Sequence, residues 1–312
     1  MRVPNTVGWG LGLALATALI SGCSVFLNGQ FVKLFPDPTL LAAVRNGSVG
    51  LVLLGIAIAN GGLGELSRLG WRARLGLVAM GVVGGGISFA LFFNGLALSS
   101  SPAAAIIHKT LFIWVAALAI PLLGERVGAL QVASLGLLLA GTLVLAPAGS
   151  IGTGTGELLV IAATLLWSLE VIVAKRLLRG GVPVSLVAAS RMAIGSVALF
   201  SIVGATGDAS AVLAFTGQQW LAIAVTGTLL TGYVLTWFGA LRRAPATSVT
   251  SILVVGAVVT MVLQSWSTGG LPAPTAAVGN VLLLAGGAVA VAAAWLAGGL
   301  RRPSVPVIAA GT

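Results

Sequence analysis

Apolar residues run through this chain in ten stretches of about 20, separated by short gaps that hold most of the charge. They fall near Val7 to Leu27, Thr39 to Ala59, Trp71 to Gly95, Pro102 to Leu123 and Ala129 to Ala146. The second half follows with Glu157 to Ala174, Ser185 to Thr206, Gln219 to Leu241, Ala246 to Trp266 and Thr275 to Gly299. A helix needs about 20 mostly apolar residues to cross the hydrocarbon of a bilayer. Each stretch is also twice the length of a barrel strand, and lipid offers an unpaired backbone group no partner. The pattern therefore predicts an all-α integral membrane protein with ten transmembrane helices. Trp9, Trp71, Trp220, Trp237, Trp266 and Trp295 lie at or near predicted ends, as interfacial anchors do, whereas Trp114 and Trp167 fall mid-span.

Composition agrees, since 58% of residues are hydrophobic and 7% charged, against about a quarter charged in a soluble domain. The net charge of +10 is unevenly spread. With the first helix entering from the cytoplasm, the inner gaps hold Arg2, Arg68, Arg72, Arg74, Arg126, Lys175, Arg176, Arg179, Arg242, Arg243, Arg301 and Arg302. The outer gaps hold only Lys33 among the basic residues, together with the acids Asp37, Glu157 and Asp208. Positive loop charge resists translocation, so the asymmetry predicts cytoplasmic termini and a multi-pass protein of the cytoplasmic membrane. It also argues against a nucleic-acid partner, because no gap is long enough to display a basic patch. Cys23 stands alone, which excludes an internal disulfide and carries no metal pattern. Ile20-Ser21-Gly22-Cys23 resembles a lipoprotein cleavage site. The apolar run continues through Val25, Phe26 and Leu27, however, and the stretch reads better as a span.

The chain also repeats itself. A shift of 146 positions sets Leu40, Ala42, Ala43 and Arg45 over Leu186, Ala188, Ala189 and Arg191, and Lys33 over Arg179. A shift of 143 sets Ala97, Leu98, Pro102 and Ala103 over Ala240, Leu241, Pro245 and Ala246. Because five is odd, a five-helix unit used twice enters the membrane from opposite sides, giving the inverted repeat that secondary transporters rock about a mid-membrane site. Chance matching of abundant Ala and Leu is the alternative. The expected units are residues 7–146 and 156–299, followed by a short cytoplasmic tail over 300–312.

Pro121-Leu122-Leu123-Gly124-Glu125-Arg126, followed by Gln131, Gly136 and Gly141, is similar to a pattern of the drug/metabolite transporter superfamily, specifically of proteins with two EamA domains. That resemblance covers roughly residues 9 to 299. It implies two inverted five-helix repeats with both termini cytoplasmic, and secondary transport in the export direction. Ser267 and Thr268 stand where the second copy would carry Gly124 and Glu125. The departure favours a structural role for Glu125, organising the turn with Arg126.

An ionisable side chain within a span costs about 2.5 to 3.5 kcal/mol on insertion scales, so each needs a partner or a function. Glu170 and Arg191 lie at similar depth from the inner side, which predicts an ion pair. That pair either holds adjacent helices or serves as an inner gate, Glu170 is also a candidate proton carrier, and snorkelling toward the headgroups is the remaining alternative. Arg45 and Lys109 share a level near the outer side where no carboxylate stands. Either Arg45 binds helix-end carbonyls while Lys109 snorkels, or one or both face a cavity and hold a carboxylate or phosphate of the substrate. His108 either packs against a neighbouring helix or couples a proton, and has too little company for a metal site.

Trp167 and Tyr233 are the foremost candidates to line the cavity, with Asn94, Gln264 and Trp114 behind them. Gly81, Gly84, Gly85 and Gly86 read as close packing or as a locally unwound point, without the strand-then-helix context of a phosphate loop. The expected function is secondary transport of a small organic metabolite, anionic or amino-acid-like, by alternating access. Nothing resembles a nucleotide-binding loop and no cofactor is implied, so the proton is a candidate coupling ion. One His and one intramembrane acid are thin material for acid/base chemistry, so the chain is not expected to be an enzyme. A membrane-embedded enzyme and a lipid-handling protein remain the alternatives.

Overall fold

A computed structural model describes residues 6–145, 154–207, 209–270 and 274–300. The expected tail beyond residue 300, together with Arg2, Asp208, Arg301 and Arg302, lies outside the described residues. Among the described residues the fold is all-helical, with no strand. In chain order the long helices are α1 (Thr6–Phe31), α2 (Pro38–Ala59), α3 (Trp71–Leu98), α4 (Ser101–Lys109 and Leu111–Leu123) and α5 (Ala129–Leu145). They continue with α6 (Thr155–Arg179), α7 (Val184–Thr206), α8 (Gly217–Arg243), α9 (Ala246–Leu253 and Val255–Thr268) and α10 (Pro274–Leu300). Nine of these spans are long and apolar enough to cross a membrane, and α5, with 17 residues, is shorter. A short helix, Gly62–Arg68, joins α2 to α3.

Several ends differ from the hydropathy boundaries. α6 continues past Ala174 through Lys175, Arg176 and Arg179, and each of those side chains reaches a backbone carbonyl at the end of another helix. The start of α2 is set locally. Asp37 Oδ1 accepts from the N–H groups of Thr39 (2.7 Å) and Leu40 (3.2 Å), and Pro38 occupies a first-turn position where its missing N–H costs nothing.

Helices pair across the two halves. α2 packs along α7, α4 along α9 and α5 along α10, while α1 packs on α8 and α3 on α6. Exchanging each helix for the one five places on leaves this set of pairs unchanged, so an approximate two-fold axis relates the halves. The first piece of α4 packs against the second piece of α9, and the reverse, so these equivalent helices run antiparallel. Small residues permit the close approach that dispersion requires where lipid supplies no hydrophobic drive. Gly50 faces the backbone of Met192 and Ala193, and Gly141 that of Gly279. Ser196 Oγ donates to the Ala43 carbonyl at 2.9 Å.

Two local irregularities shape the interior. α4 and α9 are each broken by one tight turn, at Thr110 and Val254, where bonds run to the carbonyl three residues back (Thr110 to Ile107, 3.0 Å; Val254 to Ser251, 3.3 Å). These breaks lie 144 positions apart and so recur in both copies. In α3 the segment Gly81–Ile87 is wound as a wide π-helix. The glycine cluster thus combines both readings of the sequence. A Cβ on Gly85 would overlap the Arg191 carbonyl and one on Gly84 the Glu170 carboxyl, so the cluster is closely packed as well as locally rewound.

Candidate functional site

A cavity lies between the halves. α1 contributes Ser21, Ser24, Val25 and Asn28, α2 contributes Arg45, and α3 contributes Phe89, Phe92 and Phe93 just beyond its π segment. From α4 come His108 and Leu111, from α6 Trp167, Glu170 and Val171, and from α7 Arg191. α8 closes the ring with Thr226, Leu230, Tyr233 and Trp237. The shift of 146 relates four pairs of these lining residues: Ser21 with Trp167, Ser24 with Glu170, Val25 with Val171, and Arg45 with Arg191. The cavity therefore straddles the axis that exchanges the halves.

Its charges are arranged unequally. Arg191 holds Glu170 with a hydrogen bond from Nη2 to Oε2 at 2.9 Å and a close ion-pair contact of Nε with Oε1 at 2.7 Å, and both side chains are buried. Arg45, 1% exposed, has no acid at ion-pair distance among the described residues. Its Nε and Nη2 donate to Asn46 Oδ1 (3.3 and 2.9 Å) and its Nη1 to Asn28 Oδ1 (3.3 Å). The Phe89 ring stands beside both guanidiniums, 5.2 Å from that of Arg45 and 5.3 Å from that of Arg191, and Arg45 also lies 4.5 Å from the Phe93 centroid. Ring faces attract such cations but do not neutralise them.

Aromatic contacts form one wall. Trp167 lies within 5.0 Å of His108 and 5.3 Å of both Phe89 and Phe92, centroid to centroid. Its Nε1 donates to the Gly84 carbonyl at 2.9 Å, and Asn46 Nδ2 donates to the Gly85 carbonyl at 3.1 Å, so carbonyls of the π segment hold side chains of two other helices. Opposite, Tyr233 stacks on Trp237 at 6.0 Å. Five buried polar atoms on the lining residues have no hydrogen-bond partner: Ser24 Oγ, His108 Nδ1, Glu170 Oε1, and Nε and Nη1 of Arg191, with Glu170 Oε1 and Arg191 Nε facing each other across the ion pair.

Six of the seven singled-out site residues, Arg45, His108, Trp167, Glu170, Arg191 and Tyr233, thus meet at one cavity. Lys109 does not line it. Its ammonium is 1% exposed and donates to Ser21 Oγ at 2.6 Å, behind the wall that Ser21 forms. Asn94 bonds Thr39 (2.8 Å) and is an interhelical contact. Trp114 is 40% exposed and turned away from the cavity. Trp237, expected as an interfacial anchor, is only 3% exposed and lines the cavity, because α8 runs on to Arg243 and leaves it inside the span. Sequence reasoning also passed over Ser24, Asn28 and the three phenylalanines. Applying the shift of 146 to Glu170 leads to Ser24, and the spacing of Phe89, Phe92 and Phe93 puts them on one helix face.

The Lys- and Arg-rich end carries a second polar cluster. Glu125 accepts from the backbone N–H of Ala246 (2.7 Å) and Thr247 (3.0 Å) and from Thr247 Oγ1 (2.9 Å), capping the start of α9 across the halves. Its charged neighbour is Arg179 at 3.5 Å, in place of the Arg126 expected from the sequence. Arg176 and Arg179 also donate to the carbonyls of Leu122 (3.0 Å) and Leu123 (2.8 Å) at the end of α4. Lys175, buried, bonds the carbonyls of Leu241 and Ala244 at the end of α8.

A paired-helix membrane bundle with a polar cavity on its internal symmetry axis is the build of a membrane transporter. The EamA-like transporter family matches the chain twice, over residues 8–146 and 154–292, and the chain belongs to that family, within the drug/metabolite transporter superfamily. No curated protein matches. A solved crystal structure of a protein aligns over 91% of this chain and 97% of its own, with a TM-score of 0.73 and 21% identity, a likeness of fold alone.

Proposed function

We propose that this protein is a secondary transporter of the cytoplasmic membrane that carries a small organic metabolite bearing an anionic group, in the export direction, by alternating access between two inverted five-helix repeats. In this reading ten helices cross the membrane, both termini are cytoplasmic, and the repeats span residues 7–146 and 156–299. One observation carries the reading. Arg45 is buried on the wall of a cavity between the halves and holds only neutral amide oxygens, so a full positive charge waits for a counter-charge. An uncompensated buried charge is costly, and a site that bears it in every molecule gains from a ligand that relieves it.

In this scheme Trp167 and Tyr233 line the cargo's path. The Glu170–Arg191 pair is a gate on that path, broken and remade as the halves rock, and His108 is the candidate proton-coupling group beside the aromatic wall. Lys109 supports the cargo through Ser21 and does not touch it. The antiparallel packing of α4 and α9 and the recurrence of the tight turns at Thr110 and Val254 support the inverted arrangement.

A thermal-stability screen of the purified protein against a metabolite panel finds the cargo, because a ligand that binds the folded state raises its apparent stability. The hit is then followed into proteoliposomes. Arg45→Gln should abolish its uptake while leaving the protein folded. Wild-type uptake by that variant would remove the proposal.

A further inference from the structure

The internal repeat says what is missing beside Arg45. Arg191 and Glu170 form a buried ion pair between α7 and α6. Moving back 146 positions, the equivalents of that pair are Arg45 on α2 and Ser24 on α1. Both line the same cavity, and the Ser24 hydroxyl is buried without a hydrogen-bond partner. The first half therefore has the guanidinium of the pair, and a vacant acceptor position where its acid would stand. Asn46 and Asn28 occupy part of Arg45's donor fork with amide oxygens, which carry no net charge.

Two further observations limit what fills that position. Glu170 is the only carboxylate among the described lining residues, and Arg191 already engages both its oxygens. An ammonium group entering the cavity would meet two guanidiniums and no free acid, and like charges at short range in a low dielectric repel strongly. The lining charges sum to a single uncompensated positive one, that of Arg45. Lys109 stands behind the Ser21 hydroxyl and is out of contact with the cavity, so the one further cation a second negative charge on the cargo could meet among the described lining residues is Arg191, whose charge Glu170 already balances. The rest of the wall is ring and aliphatic surface, with Phe92, Trp167, Tyr233 and Trp237 presenting faces and edges that a flat apolar body can contact.

We propose that the cargo is an organic monocarboxylate with a flat, aromatic body and no ammonium group, and that its carboxylate sits between Arg45 and Ser24 in the place that Glu170 fills beside Arg191. This rests on Arg45 as the cargo-binding cation. It narrows that reading to one charge class and assigns Ser24 as the residue that keeps the position open.

Five probes test it on the full-length protein purified in detergent: 3-phenylpropanoate, phenylalanine, phenethylamine, phenyl phosphate and hexanoate. Binding is read from the apparent melting temperature and from quenching of the fluorescence contributed by Trp167 and Trp237. The expected result is a response to 3-phenylpropanoate at least about tenfold tighter than to phenylalanine, none to phenethylamine, and loss of the response in Arg45→Gln. Ser24→Glu supplies the missing acid from within, and should remain folded, melt no lower than wild type and lose the 3-phenylpropanoate response. Ser24→Gln, similar in size but uncharged, should keep it.

Equal or tighter binding of phenylalanine or phenyl phosphate, still dependent on Arg45, would overturn the monocarboxylate assignment while leaving a cationic cargo site. Hexanoate matching 3-phenylpropanoate would remove the aromatic body. A response to phenethylamine, or any response that survives Arg45→Gln, would remove the Arg45 reading itself. Silence with all five probes up to about 10 mM, weaker than any useful carrier affinity, would overturn the inference as well.

Discussion

The corner where α8 turns into α9 and the corner where α3 turns into α4 are counterparts in the internal repeat, yet they are fastened differently. At the α8–α9 corner Pro245 offers no side-chain acceptor, and Glu125 reaches over from the other half to cap the new helix. Lys175 closes the same corner by bonding the last carbonyls of α8. At the α3–α4 corner Ser100 caps locally, accepting from the Ala103 N–H at 3.2 Å. The position equivalent to Lys175 is Gly29, whose missing side chain lets α1 close onto Ser101. Across the halves, the Lys- and Arg-rich end is tied by charge-assisted bonds. At the other end the cross-half contacts include the Gln219 side chain on the Leu34 carbonyl (2.8 Å) and the rings of Phe35 and Phe215. Charge-assisted bonds are roughly twice as strong as neutral ones. The fold is symmetric, but its fastening is not, and the same is true in the cavity, where Arg191 has an acid and Arg45 has none.

Removing that acid should give the largest effect. Glu170→Ala leaves the Arg191 guanidinium buried without its partner, and should cost about 3 to 5 kcal/mol in a reversible unfolding titration in mixed micelles. A cost below about 1 kcal/mol would mean that the two Arg environments are equivalent.

The corners provide a middle-sized test. Glu125→Ala should cost about 1 to 2 kcal/mol, because two buried N–H groups and a hydroxyl lose a charged acceptor. Ser100→Ala, which removes one neutral cap, should cost about 0.5 to 1 kcal/mol in the same assay. Equal costs would erase the difference between the ends.

Arg45→Gln should have the smallest effect on the empty protein, below about 1 kcal/mol in either direction, since the lost amide hydrogen bonds are offset by the charge no longer buried. A loss as large as that of Glu170→Ala would show that Arg45 is a structural cation held by its surroundings.

Much of the architecture was legible because lipid leaves few solutions. Length and apolarity alone marked the spans, and Arg45 over Arg191 marked the repeat. The Glu170–Arg191 pair was also legible, since both residues lie at one depth on adjacent helices. Trp237 was misassigned because hydropathy ends a span at its last apolar residue, whereas α8 continues through Arg242 and Arg243. Glu125 was recognised as structural, but its partner could not be read, because the N–H groups of Ala246 and Thr247 are more than 120 positions away and meet it only when α4 and α9 pack.

The sequence by itself determined that this chain lives in a membrane, that it is built from one unit used twice, and which ionisable side chains lie within its apolar stretches. Those properties depend on composition and on periodicity along the chain, which need no contact to be counted. Only the tertiary structure decided which way each buried group faces. A helix turns about 100° per residue, so His108 lines the cavity while its neighbour Lys109 lies behind the wall. It likewise decided that Ser24, an unremarkable serine in an apolar run, stands where its counterpart holds an acid, because that position acquires meaning only when the two halves close around a shared axis.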